Sequence, residues 1–376
     1  MTPQSVANES VAEPSDGSRP EGSPPRSGVY RDASRHELSL IRFPEEDTDW
    51  VVIMRAHLDE GSRALTAELS PRLEALTDLI PLVGARLNAE TWSYGAPNSP
   101  TETTGDPLRH VDAWRAFDLA REAPLRLVVS DNGQLGIAAH HAAFDGLAMV
   151  ALLQFLLGGP APEPAVSPPA GPSDGNLPYI KRILQPARAV AGSVRRPAID
   201  TILARPVKIS GRRTTGRLAA SCVAAAGAHN RRAGQPFDRI GITIAVGGPA
   251  GVDNVAGYRR IDVVPSDPIV ELVVEAIATV EEPQLQTKSS RYLKLTAPLV
   301  PRLADSLLIS NLGRHPIEHV DRLDFWPVSR GRSGLTFGLC SVEGGESSLG
   351  LRSYRHDVAD GQRILDEAVE RFEATV

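Results

Sequence analysis

The stretch QLGIAAHHAAFDGLAMVALLQFLLG, Gln134 to Gly158, constrains this chain more than any other. An apolar run of strand character ends in two adjacent histidines. An Asp-Gly pair follows, then an apolar helix stopped by Gly158, Gly159 and Pro160. Side chains alternate across a strand, so Ile137, Ala139 and His141 share one face, while Gly136, Ala138 and His140 share the other. The two histidines therefore cannot serve as twin ligands or twin bases: one is structural and the other is free for chemistry. His141, at the strand end where AAF turns the chain, is the free one.

Asp145 stands where the following helix should begin, and aspartate is a strong N-cap. The positive end of that helix disfavours an imidazolium, so His141 is expected to be neutral near pH 7 and able to accept a proton. That makes it a candidate general base. Gly146 permits close backbone approach. Against this stand plainer readings: Asp145 only as a helix cap, the histidines only as satisfied core residues, or the set as metal ligands. The opposed faces and the lack of another His/Cys/Asp cluster argue against metal.

Outside this region, residues 1–37 are rich in Ser, Pro, Gly and Glu and read as a disordered tail. A strand is expected over Asp49–Asp59, followed by a leucine-spaced helix that Pro71 interrupts. Strands over Leu125–Ser130 and Leu135–His141 flank Asp131-Asn132-Gly133, a hairpin signal. Residues 38–157 thus form an N-terminal subdomain, Gly158–Gly175 a Pro/Gly-rich linker, and 176–376 a C-terminal subdomain of helices and strands. The mixture, with hairpins in place of strict βαβ alternation, indicates an α+β fold.

The formal charge of -6 over 376 residues is mild, and no basic block is dense enough for nucleic acid. Neither Cys222 nor Cys340 has a CxxC partner. The N-terminal stretch lacks the apolar core of a signal peptide, and no stretch has the roughly 18 apolar residues of a membrane span. A cytoplasmic monomer is expected. The run AVGGPAG lacks both GxGxxG spacing and a Walker lysine, and reads as a turn.

The heptapeptide HHAAFDG matches HHxxxDG, and with it the chain resembles the chloramphenicol-acetyltransferase-like superfamily. That superfamily includes condensation domains and CoA-dependent acyltransferases. FDLAREAPLRLVV, LEALTDLIPLVGARL and SLLISNLGR resemble further family segments, so the likeness runs over about residues 38–376. It implies two α/β two-layer sandwich subdomains set in a V around a central active-site tunnel. It further implies acyl transfer from a CoA or phosphopantetheinyl carrier-protein thioester to a small-molecule alcohol or amine. His141 would be the general base, and His140, Asp145 and Gly146 the structural part of the motif. No bound cofactor is implied, and the thioester is a co-substrate.

By the same resemblance Ser310 and Asn311 are candidate tunnel and oxyanion donors, although a polar pair closing a turn before Gly313 is an equal reading. The family's ion pair to the motif aspartate makes Arg259 and Arg260 candidate partners for Asp145, ahead of Arg126 and Arg55. Leu147 after Asp-Gly, and LDFWPVSRG where plant-type members have DFGWG, point to a free-standing acyltransferase of secondary metabolism or lipid assembly. The alternative is a relative that performs cyclisation or dehydration, or that docks partners or binds a ligand.

Overall fold

A computed structural model describes residues 28–41, 49–59, 67–110, 114–163, 177–194, 200–247, 251–252, 254, 257–278, 300–329 and 334–375. In chain order the elements are β1 (Val29–Asp32), α1 (Arg35–Ile41), β2 (Val51–Leu58), α2 (Leu69–Leu79), β3 (Arg86–Asn88), β4 (Thr91–Ser93), β5 (Thr101–Thr103), β6 (Leu125–Ser130), β7 (Gln134–His140) and α3 (Gly146–Leu156). They continue as α4 (Leu177–Leu184), β8 (Thr201–Pro206), α5 (Thr214–Arg232), β9 (Ile240–Val246), β10 (Gly257–Val263), α6 (Ile269–Ala278), α7 (Val300–Leu303), β11 (Leu307–His315), β12 (Val320–Trp326), β13 (Leu335–Val342), β14 (Ser347–Ser353) and α8 (Val358–Ala374).

The strands form a small sheet in the order β1-β4-β3 and two larger ones, β12-β2-β7-β6-β5 and β10-β9-β11-β13-β14-β8. Each larger sheet packs apolar side chains against helices, as a two-layer α+β arrangement requires. Met54, Ile137 and Ala139 of the first sheet meet Leu73 and Leu76 of α2 and Leu152 and Leu153 of α3. In the second, Ile242, Ile309, Phe337 and Leu351 meet Leu218 and Cys222 of α5 and Ile364, Leu365 and Phe372 of α8. Burial of one such aliphatic or aromatic side chain contributes about 1.5–3 kcal/mol, so these two clusters carry most of the folding drive.

The β6–β7 hairpin turns where the Asp-Asn-Gly signal placed it, with Gly133 at φ +79°. Other boundaries differ from the sequence reading. Ordered structure starts earlier than residue 38, because β1 pairs with β4 and α1 follows it. The Glu37 carboxylate, buried under that unit, takes both Arg31 and the Trp92 indole N–H. Pro71 does not interrupt α2. It sits in the first turn, where its missing N–H has no helical partner. The expected helical end VGARL instead leaves a 3-10 turn, Pro81–Gly84, and enters β3.

The largest departure is β12. The sequence reading places it in the C-terminal subdomain, but it pairs antiparallel with β2 at the edge of the first sheet. It also lies flat on β13 and β14, where Gly338 and Gly350 make room. A Cβ on either would come within 2.4 Å or 2.3 Å of the Phe325 carbonyl oxygen. The division at 158–175 is thus bridged by a strand returning from the second half. Of that linker, residues 164–175 lie outside the described residues, as do 1–27 of the tail.

Candidate active site

The first strand of the site is β7, whose end is fixed by its neighbour. The His141 backbone N–H donates to the Trp50 carbonyl at 2.7 Å, and Trp50 holds a left-handed φ of 48°. The Trp50 indole stacks on the His141 ring, with centroids 6.2 Å apart and planes 18° apart. His141 Nδ1 lies 3.3 Å from the Phe144 carbonyl oxygen. A carbonyl only accepts, so in the neutral ring the proton belongs on Nδ1 and the lone pair on Nε2. Nε2 meets the Tyr258 hydroxyl at 2.5 Å, and toward the neutral ring the phenol is the donor.

His140 points the other way. Its Nδ1 accepts the Ala142 N–H at 3.1 Å, and its ring meets Phe117 edge-on. Burial, with the charge of Arg126 nearby, lowers its pKa to about 4, so it is neutral at ordinary pH and serves the turn.

Asp145 caps α3, its Oδ1 accepting the Ala148 N–H at 2.9 Å. It is buried, and together with His141 it lines a cavity of about 50 Å³ between the two larger sheets. Gly146 is there for proximity. A Cβ on it would stand 2.7 Å from Leu312 Cδ2 and 3.1 Å from Phe325 Cζ, so any side chain would press on the cavity wall. Leu147, next in sequence, covers Gly247 from the opposite sheet in the same way.

Both second-half candidates reach this cavity, in different states. Ser310 is buried on its wall, between β9 and β13. Asn311 lines the cavity too, but its amide is used by the fold: Nδ2 donates to Thr215 and Oδ1 accepts the Gly313 N–H, closing the turn. Among the arginines, Arg260 is held by Asp262 and Asp305, Arg55 by Asp324 and Asp106, and Arg126 by Glu122. Arg259 is buried opposite Ile244 on β10, and strand alternation turns it to the face away from Tyr258.

No cluster of His, Cys, Asp or Glu fit to hold a metal ion occurs among the described residues. The two cysteines are free and buried, and burial pushes the Cys340 thiol up to about 12, out of reach of nucleophilic use. No helix among the described residues is long and apolar enough to cross a membrane.

No family model and no curated protein matches this chain. Solved structures do. The first condensation domain of the calcium-dependent antibiotic synthetase, in complex with a substrate analogue, aligns at TM-score 0.58 and 14% identity over 92% of this chain and 97% of that one. A variant of the starter condensation domain of rhizomide synthetase, in complex with C8-CoA and Leu-SNAC, aligns at 0.56 and 9% over 92% and 94%. The condensation domain of the Monacolin K polyketide synthase aligns at 0.51 and 11% over 93% and 97%.

The chain has the condensation-domain fold.

Within this condensation-domain fold, sequence reasoning overlooked the residues that touch His141 from afar. Tyr258 stands in GYRRIDVV directly beside the two arginines singled out, and strand alternation aims it opposite to Arg259. Asn254, just upstream, donates its side-chain amide to the His141 carbonyl oxygen. A polar aromatic on a strand beside buried arginines was the available signal for Tyr258. Nothing local marked Asn254.

Proposed function

We propose that this chain is an acyltransferase that moves an acyl group from a CoA or carrier-protein thioester to the hydroxyl or amine of a small molecule. The observation that carries this reading is the His141 imidazole. Its Nδ1 lies against a carbonyl, and its Nε2 meets the Tyr258 hydroxyl at the wall of a cavity lined by both halves. The chemistry follows from that geometry. An acceptor hydroxyl or amine placed at Nε2 gives up its proton as its heteroatom attacks the thioester carbonyl. The tetrahedral intermediate expels thiolate, and the imidazolium returns the proton to sulfur. Holding both reactants in one narrow space supplies much of the acceleration, and a positioned base adds roughly 10²–10⁴-fold.

The oxygen of the intermediate needs a donor, and the Ser310 hydroxyl on the cavity wall is the candidate. Asn311 is the weaker one because its amide already has partners. No acyl-enzyme is required, which suits a chain whose cysteines are buried. The rhizomide synthetase variant of the same fold, in complex with C8-CoA and Leu-SNAC, supports a thioester donor here as well. A role in secondary metabolism or lipid assembly, alone or with a carrier protein, belongs to the same proposal.

The test is to incubate the purified chain with a panel of acyl-CoA and acyl-N-acetylcysteamine thioesters and with amine and alcohol acceptors. Thiol release is followed by colour and products by mass. Release coupled to acylated acceptor is expected. Absence of both across the panel, from a folded protein, would refute the reading.

A further inference from the structure

The phenol of Tyr258 occupies the place that the acceptor must take. Its hydroxyl sits 2.5 Å from Nε2 and donates to the lone pair that the proposed chemistry uses. Trp50 stacks on one face of the ring, and Tyr258 meets the imidazole edge-on at 81°. The cavity lies beside the ring, while the position at Nε2 itself is filled by the phenol. An acceptor therefore reaches Nε2 only by displacing the phenol.

The surroundings allow that exchange. Tyr258 lies on β10, which among the described residues is the edge strand of the second larger sheet and pairs with β9. His141 does not depend on it for its position. Phe144 holds Nδ1, Trp50 holds the backbone N–H, and Asn254 holds the carbonyl oxygen.

We propose that Tyr258 is a resident stand-in for the acceptor, which occupies the base until a true acceptor displaces it and so keeps water from being activated against the thioester. This rests on the acyl-transfer reading above and adds to it a device for fidelity. The reaction it suppresses is hydrolysis. Water at Nε2 would pass one proton to the imidazole while its oxygen bonds to the thioester carbonyl carbon. The C–S bond would then break and the thiolate would regain the proton, leaving a carboxylic acid and a free thiol. Excluding water from a loaded site is a recognised function of closed active sites.

Two measurements test this, and they fail separately. The first needs no substrate: the rate at which diethyl pyrocarbonate modifies His141, followed by peptide mass spectrometry, in wild type and Tyr258→Phe. Loss of the hydroxyl alone should free the Nε2 lone pair and raise that rate about tenfold, the worth of one hydrogen bond. An unchanged rate overturns the stand-in role whatever reaction the protein catalyses. The second uses octanoyl-CoA without acceptor. Tyr258→Phe should release thiol about tenfold faster than wild type, and His141→Ala/Tyr258→Phe should lose that gain, because the gain runs through the base. Equal release by wild type and Tyr258→Phe overturns the proposal, as does an octanoyl adduct on Tyr258, which would make the phenol a nucleophile. Faster modification of His141 with no thioester consumed by any variant supports the shielding contact and overturns only the acyl-transfer reading.

Discussion

Asp324 on β12 accepts the Ser348 hydroxyl of β14 at 2.5 Å, tying the first large sheet to the second through one fully buried carboxylate. Its other oxygen takes Arg55 at 2.7 Å and His57 at 2.8 Å, both from β2. Burial alone would raise the pKa of this group. The His57 hydrogen bond and the Arg55 charge outweigh it and hold the carboxyl well below the usual range. The strand that roofs the active-site cavity, through Phe325, is thus anchored one residue away by charge.

Removing that anchor should be costly. Asp324→Ala leaves Arg55 and a buried hydroxyl facing each other without the anion, and breaking a buried pair in this way costs about 3–5 kcal/mol. Ser348→Ala removes one hydroxyl donor from that carboxylate and should cost about 1.5–3 kcal/mol. Urea unfolding of both variants checks the order. Equal, small losses would mean that the carboxylate does not join the sheets.

Acid should weaken the fold in a defined window. Burial, with Arg126 nearby, lowers His140 to about 4, and burial, with His229 beside it, lowers His356 to about 4. Unfolded histidine titrates near 6.5, so between about pH 6.5 and 4 the unfolded chain binds protons that the folded chain refuses. Stability therefore falls as pH falls, by up to about 1.4 kcal/mol per pH unit for each histidine. Asp324 contributes fully above the ordinary aspartate range, and its share is lost only as pH drops through its lowered folded pKa. Denaturant midpoints at pH 7 and 4.5 measure the slope. His356→Asn, which keeps a polar partner for Ser353, should flatten it.

Gly146→Ala should act on the cavity. The added methyl meets Leu312 and Phe325, and overpacking of this kind costs about 1–3 kcal/mol. Because the methyl also narrows the space beside His141, turnover should fall more than the melting temperature suggests. An Ala variant with wild-type rate and stability would show that the wall yields freely.

Asp145→Ala should lower stability by about 1 kcal/mol through loss of the α3 cap alone, and by more if the buried carboxylate has a further role. Asp145→Asn keeps a cap oxygen and isolates the charge. Thermal melts of the pair separate the two contributions.

The locally encoded parts of this protein were legible in its sequence. The Asp-Asn-Gly turn, the Asp145 cap and the opposed directions of His140 and His141 each follow from a few neighbouring residues and one conformational rule. Pro71 was misread because proline breaks a helix only beyond its first turn, and the start of α2 is not marked by a strong cap. What lay beyond reading was long-range pairing. That β12 leaves its own half to join β2 depends on Gly338, Gly350 and Asp324 fitting surfaces far away in the chain. For the same reason Tyr258 and Asn254 could not be placed on His141, since only the paired sheets bring β10 to the end of β7.

His141→Ala, assayed for thiol release and acceptor acylation with the best thioester of the panel, tests the proposed base most directly. The fold should persist, since the neighbouring cap and strand contacts do not use the imidazole, and the rate should fall by about 10²–10⁴-fold. A folded His141→Ala protein that acylates the acceptor at the wild-type rate would contradict the mechanism.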